Sequence, residues 1–136
     1  AYINGTIRTF DPKVRAMVRE RLTQIVAGTA TAYGVAATLE FQHGYPPTIN
    51  DPAATAFAAA VAPEVGGTVT TDAPREMGSE DFAYMLEKCP GSYLFIGNGA
   101  TAGLHHPAYD FDDSLAPIGA SFFARLVERA QPLTPA

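Results

Sequence analysis

Residues 2–12, Tyr2-Ile3-Asn4-Gly5-Thr6-Ile7-Arg8-Thr9-Phe10-Asp11-Pro12, decide how the rest of the chain is read. On an extended backbone Ile3, Gly5, Ile7 and Thr9 fall on one side and Tyr2, Asn4, Thr6, Arg8 and Phe10 on the other, the period of two that predicts a strand. Asp11 then reads as a helix N-cap and Pro12 as the first helical residue, where its missing N–H is no loss. Val14, Met17, Val18, Leu22, Ile25 and Val26 form one helical stripe, and the helix is expected to end before Gly34. From Val35 the alternation returns, with Val35, Ala37, Leu39 and Phe41 opposite Ala36, Thr38, Glu40 and Gln42. The first part therefore reads as a strand-helix-strand unit.

Gly44-Tyr45-Pro46-Pro47 interrupts both periods, because proline lacks an amide hydrogen and restricts the residue before it. A boundary is expected there. Asn50-Asp51-Pro52 repeats the capping arrangement before an alanine-rich helix, and a short strand follows at residues 68–71. A third helix is expected to open at Gly78-Ser79, with Glu80 and Asp81 in its first turn and Phe82, Met85 and Leu86 as its buried stripe. Residues 92–97 read as another short strand, and a last helix starts near Ser114 or Leu115 with Leu115, Ile118, Phe122 and Leu126 facing a core. This order predicts an α/β fold with helices layered on a partly parallel sheet. Two strands are too few to cover those helices, so the chain is expected to be two pieces of larger domains.

Composition narrows the function. At 47% hydrophobic and 17% charged residues the chain is too apolar for a disordered segment. The net charge is -5, and the basic residues of the first part are spread out rather than gathered in a stripe, which argues against a nucleic-acid partner. No apolar run is long enough to span a bilayer, and the opening residues lack a signal-peptide pattern. Cys89 has no partner for an internal disulfide and no motif around it, which suits an inert thiol in a reducing compartment and predicts a cytoplasmic protein.

Two stretches and one arginine hold the reactive groups. His105 and His106 lie in Leu104-His105-His106-Pro107, in a loop beyond an expected strand end, where open α/β sheets place ligands. Imidazole ligates zinc-like ions, and neighbouring side chains on extended backbone point opposite ways, so one histidine at most faces a given ion. The alternative is a surface loop satisfied by water and local capping, with Asp112 and Asp113 as helix caps rather than ligands. Ser79 and Glu80 open a helix whose free amides suit a substrate carboxylate, or are simply capped. Arg8, beside Asn4 and Thr6, is either a guanidinium fork for a carboxylate or a solvated arginine.

Gly5-Thr6-Ile7-Arg8-Thr9-Phe10, Gly44 to Asp51, Met77-Gly78-Ser79-Glu80-Asp81-Phe82, and Leu104-His105-His106-Pro107 followed by Phe111-Asp112-Asp113 occur in one order. Together they resemble the peptidase M20 family, in particular its aminoacylase and hippurate hydrolase-like amidohydrolases. The resemblance implies a catalytic α/β domain binding two divalent ions (zinc, manganese or cobalt), interrupted by an antiparallel α/β lid that commonly forms a homodimer. It implies that residues 1–44 are the second half of the lid and 45–136 the C-terminal part of the catalytic domain. By the same resemblance His105 matches the last metal ligand, Arg8 the lid arginine near the substrate, and Ser79 and Glu80 the wall of the substrate site. The other metal ligands and the general base would lie upstream, so no catalytic residue is assigned here and the chain alone is not expected to bind both ions or to be active. The substrate implied is an N-acyl amino acid or related amide. The family usually has serine where this sequence has His106, either a harmless change or an ambiguity in the choice of ligand. A non-enzymatic α/β dimerisation or interaction module is the competing reading.

Overall fold

The computed structural model describes residues 1–132 and contains four α-helices: α1, Pro12–Tyr33; α2, Pro52–Val61; α3, Phe82–Leu86; and α4, Ala116–Ala130. Single 3₁₀ turns, Ala62–Glu64 and Asp113–Leu115, follow α2 and precede α4. No residue among those described is in a β-strand. The expected α/β architecture, with its antiparallel lid and partly parallel sheet, is therefore corrected. Alternation records which side of an extended chain is covered, but a strand also needs a neighbouring backbone to complete its ladder. Residues 2–10 and 35–42 do not supply one to each other, and Tyr2 and Ile3 are 100% and 97% exposed.

The chain forms two compact units. The first comprises Ala1–Ile49 and Arg75–Lys88, the second Asn50–Pro74 and Cys89–Ala136. In the first, α1 begins where its sequence signals lie. The Asp11 carboxylate accepts from the Lys13 N–H at 2.7 Å, and Gly34 ends the helix with φ 63°, donating its own N–H to the carbonyls of Ala30 and Thr31. That left-handed turn is one a side chain adopts at a cost. It sends residues 35–41 back beside the helix, because the Arg19 guanidinium lies 4.7 Å from the centre of the Phe41 ring. The lengths agree: 15 helical residues rise about 22 Å, and seven extended ones span about 23 Å. Val18, Leu22 and Val26 are half-buried, whereas Val14, Met17 and Ile25 of the expected stripe are exposed.

α3 is shorter than its sequence suggests. Residues 78–80 are not helical, Asp81 occupies the N-cap position without a side-chain bond, and Glu80 and Asp81 precede the helix instead of forming its first turn. Residues 75–77 are engaged elsewhere, Arg75 over the Phe10 ring at 5.7 Å and the Met77 carbonyl with Arg8. Ala83 is buried at 1% exposure, Phe82 and Leu86 are half-buried, and Met85 is exposed. Tyr84 meets Tyr45 edge to face with centroids 5.8 Å apart, and its hydroxyl donates to the Gly44 carbonyl.

In the second unit α2 packs on α4, burying Ala58 and Val61. Gly119, Phe122 and Leu126 of α4 are half-buried, as is Leu115 in the turn before it, while Ile118 of the expected stripe is exposed. Ile96 of residues 92–97 lies against Gly119, its Cδ1 at van der Waals distance, 3.4 Å, from where a β-carbon would stand. The Asn50 carboxamide both accepts from the Tyr93 N–H at 2.8 Å and donates to the Tyr93 carbonyl at 3.0 Å, and the Asp51 N–H donates to the Gly91 carbonyl. A side chain thus replaces one rung of a ladder. Asn50→Ala removes both bonds to the backbone of half-buried Tyr93 and is expected to destabilise the chain by about 1–3 kcal/mol. Urea denaturation should register this as a lower midpoint at unchanged slope.

Candidate functional site

In the first unit Arg8 donates through Nη1 to the Met77 carbonyl, immediately before Gly78-Ser79-Glu80. The structure therefore brings Arg8 to the segment that carries Ser79 and Glu80, joining two separate sequence motifs. The Arg8 partner is a backbone carbonyl that no side-chain pattern announces. A guanidinium has five N–H donors, so this bond leaves others for a planar anion. Ser79 is exposed and Glu80 half-buried. The helix start anticipated at Ser79 is absent, and with it the array of free helical amides proposed there for a carboxylate.

His105 lies in the second unit, in the loop between Asn98 and Asp112. Its backbone φ is 66°, the one positive value among the described residues that are not glycine. Such a conformation is uncommon for a side chain with a β-carbon, and persists where the surroundings enforce it. The imidazole is exposed, with no hydrogen bond to a protein group among the described residues. His106 is held differently. Its N–H donates to the Gly103 carbonyl, its carbonyl accepts from the Tyr109 N–H, and its Nδ1 accepts from the Ala108 N–H at 3.0 Å. With Nδ1 accepting, the neutral ring carries its proton on Nε2, so neither nitrogen offers a lone pair to an ion.

The Asn98 carboxamide closes this loop, bonding to Asp110 at one end and to Thr101 near the other. Nothing local to Asn98-Gly99 in the sequence indicates a partner twelve residues away. Asp112 is the N-cap it was expected to be, its carboxylate accepting from the Ser114 N–H at 2.9 Å. The Ser114 side chain and then its backbone N–H hold the Asp112 carboxyl below the usual carboxylate range. Among the described residues no three histidine, cysteine, aspartate or glutamate side chains are grouped to hold a metal ion. A complete metal centre therefore does not fit these residues, although a single open imidazole at His105 does fit one ligand position.

The profile of Peptidase family M20/M25/M40 matches residues 5–129, and the chain belongs to this family. Its relatives include proteins named as deacetylases of N-acetylated amino acids and as an amino acid-conjugate hydrolase, alongside proteins named as carboxypeptidases. It is 39% identical over 121 residues to N-acetyl-L-cysteine deacetylase of Bacillus subtilis, covering 89% of this chain and 29% of that protein. It is 32% identical to N-acetyldiaminopimelate deacetylase of Pediococcus pentosaceus, over 88% of this chain and 31% of the relative. With IAA-amino acid hydrolase ILR1-like 4 of Arabidopsis thaliana the identity is 30%, over 93% and 31%. The chain thus spans under a third of the length of these three relatives. No solved structure matches it. No helix among the described residues is long and apolar enough to cross a membrane.

Two outcomes follow from the loop geometry. His106→Ser retains an oxygen able to accept from the N–H two residues on, as serine does in local turns, whereas His106→Ala does not. Amide hydrogen exchange at Ala108 should stay near wild type in the first and speed up in the second by the equivalent of about 0.5–1.5 kcal/mol. The lowered Asp112 pKa fixes the sign of an acid effect. The capped turn is stabilised above the ordinary carboxylate pKa and loses that contribution as pH falls through the lower, folded value. An NMR titration should show the Ser114 N–H keeping its bonded shift through the ordinary carboxylate range and losing it only at lower pH.

Proposed function

We propose that this chain is part of a metal-dependent amidohydrolase that cleaves N-acyl amino acids or related amides. Members of the family are generally metal-dependent hydrolases. In this reading residues 1–44 belong to the lid or dimerisation portion of a homodimer, and residues 45–136 to the catalytic portion. His105 contributes one metal ligand, Arg8 binds the substrate carboxylate, and Ser79 and Glu80 line the substrate site. Further ligands and the general base come from sequence beyond these residues, so residues 1–136 alone do not turn over substrate.

The observation that carries the choice of ligand is the contrast between the two histidines. His105 presents an exposed ring without a hydrogen-bond partner among the described residues, while His106 spends Nδ1 on the Ala108 N–H. A serine hydroxyl can make the same local bond, which accounts for histidine at a position where the family usually has serine. The location of Arg8 beside Met77 supports a shared role with Ser79 and Glu80.

Turnover of N-acyl amino acids by the whole protein, with zinc, manganese or cobalt supplied, tests the activity. His105→Ala is expected to lower bound metal and reduce turnover by orders of magnitude, because a ligand is lost. His106→Ser should keep both nearly normal. Full metal content and activity in the first variant, with loss of both in the second, would reverse the assignment of the ligand. Absence of turnover under every metal would favour a non-enzymatic interaction module instead.

A further inference from the structure

The loop that carries His105 starts and ends on one side chain. Asn98 Nδ2 donates to the Asp110 carbonyl at 2.7 Å and to Thr101 Oγ1 at 3.1 Å, and Asn98 Oδ1 accepts from the Asp112 N–H at 2.8 Å. Both donors and the acceptor are in use. This fixes the orientation of the carboxamide, because a half-turn would set its NH₂ group against an N–H and its oxygen against a carbonyl. Bonds within the loop are local: Thr101 N–H to the Gly99 carbonyl, His106 N–H to that of Gly103, Tyr109 N–H to that of His106. Among the described residues, the hydrogen bonds joining the two ends of the loop are those of Asn98. Asp112 in turn caps the 3₁₀ turn leading into α4, so the clamp anchors the loop to a helix.

We propose that Asn98 is a positioning residue, whose clamp imposes the left-handed backbone at His105 and so determines where that imidazole is presented. A strained backbone conformation needs such external enforcement. Neither the turn around His106 nor the two bonds within residues 99–106 reaches across the loop. The consequence for turnover rests on the amidohydrolase reading; the consequence for loop geometry does not.

The test uses the whole protein with ¹⁵N-labelled histidine, the two ring signals being assigned with His105→Gln and His106→Gln. In the wild type His106 should show an accepting Nδ1 and a protonated Nε2. In Asn98→Ala that pattern should give way to the averaged signals of a free ring, and kcat for an N-acyl amino acid should fall about ten- to a hundredfold, the range seen when a group orienting a metal ligand is removed. KM should change little. Asn98→Asp keeps the bond from the Asp112 N–H but cannot donate to Asp110, and should lie between the two; it also carries the same readouts if the alanine variant fails to fold. Asn50→Ala, which loses a structural carboxamide in the same unit, is the control and should leave the His106 signals and the turnover per folded molecule unchanged. Unaltered His106 signals in Asn98→Ala, or a loss of kcat no greater than in Asn50→Ala, would overturn the proposal. A wild-type protein without deacylase activity, but with His106 signals that depend on Asn98, would sink the amidohydrolase reading and leave the clamp standing.

Discussion

Extended backbone carries hydrogen-bonding groups that must find partners when they are covered, and in this chain side chains provide several of them. The Asn50 carboxamide takes both polar groups of Tyr93, that of Asn98 takes groups of Asp110 and Asp112, and the Arg8 guanidinium takes the Met77 carbonyl. Each contact joins segments far apart in sequence. Helices satisfy their interiors without such help, which is why the four helices need only caps at their ends.

The candidate site residues lie in these irregular segments. Arg8 and Glu80 belong to irregular segments of the first unit, held together by a side chain meeting a backbone carbonyl. His105 belongs to an irregular segment of the second, held by a carboxamide and ended by the helical cap at Asp112. Surface ion pairs contribute less. Glu64 with Arg125 and Arg129, at 3.4 and 3.2 Å, joins partly exposed side chains, and pairs of that kind typically contribute under about 1 kcal/mol. Their visible effect is to tie the end of the turn after α2 to the last turns of α4.

The candidate site can be compared with the sequence residue by residue. Arg8, Ser79, Glu80 and His105 were chosen from motifs, and the structure adds that Arg8 reaches the segment holding Ser79 and Glu80. The bond between Nδ1 of His106 and the Ala108 N–H was hidden, since a His-His dipeptide does not say which ring turns back on its own loop. Asn98 was overlooked for a related reason: asparagine before glycine is a common turn pair, and its distant bonds depend on how the chain returns.

Helix positions were determined locally. Asp11-Pro12 and Asp51-Pro52 start helices, Gly34 ends one, and Asp112 caps the approach to another, because a cap acts within a few residues of itself. The expected strands at residues 2–10, 35–42, 68–71 and 92–97 required something alternation does not contain, a second backbone at hydrogen-bonding distance. Tertiary structure decided against that ladder and ran residues 35–41 back along α1, where Phe41 meets Arg19. It also set the start of α3 at Phe82 rather than at Ser79. Short-range capping is written in neighbouring residues, whereas the partner of an extended segment depends on where the rest of the chain goes.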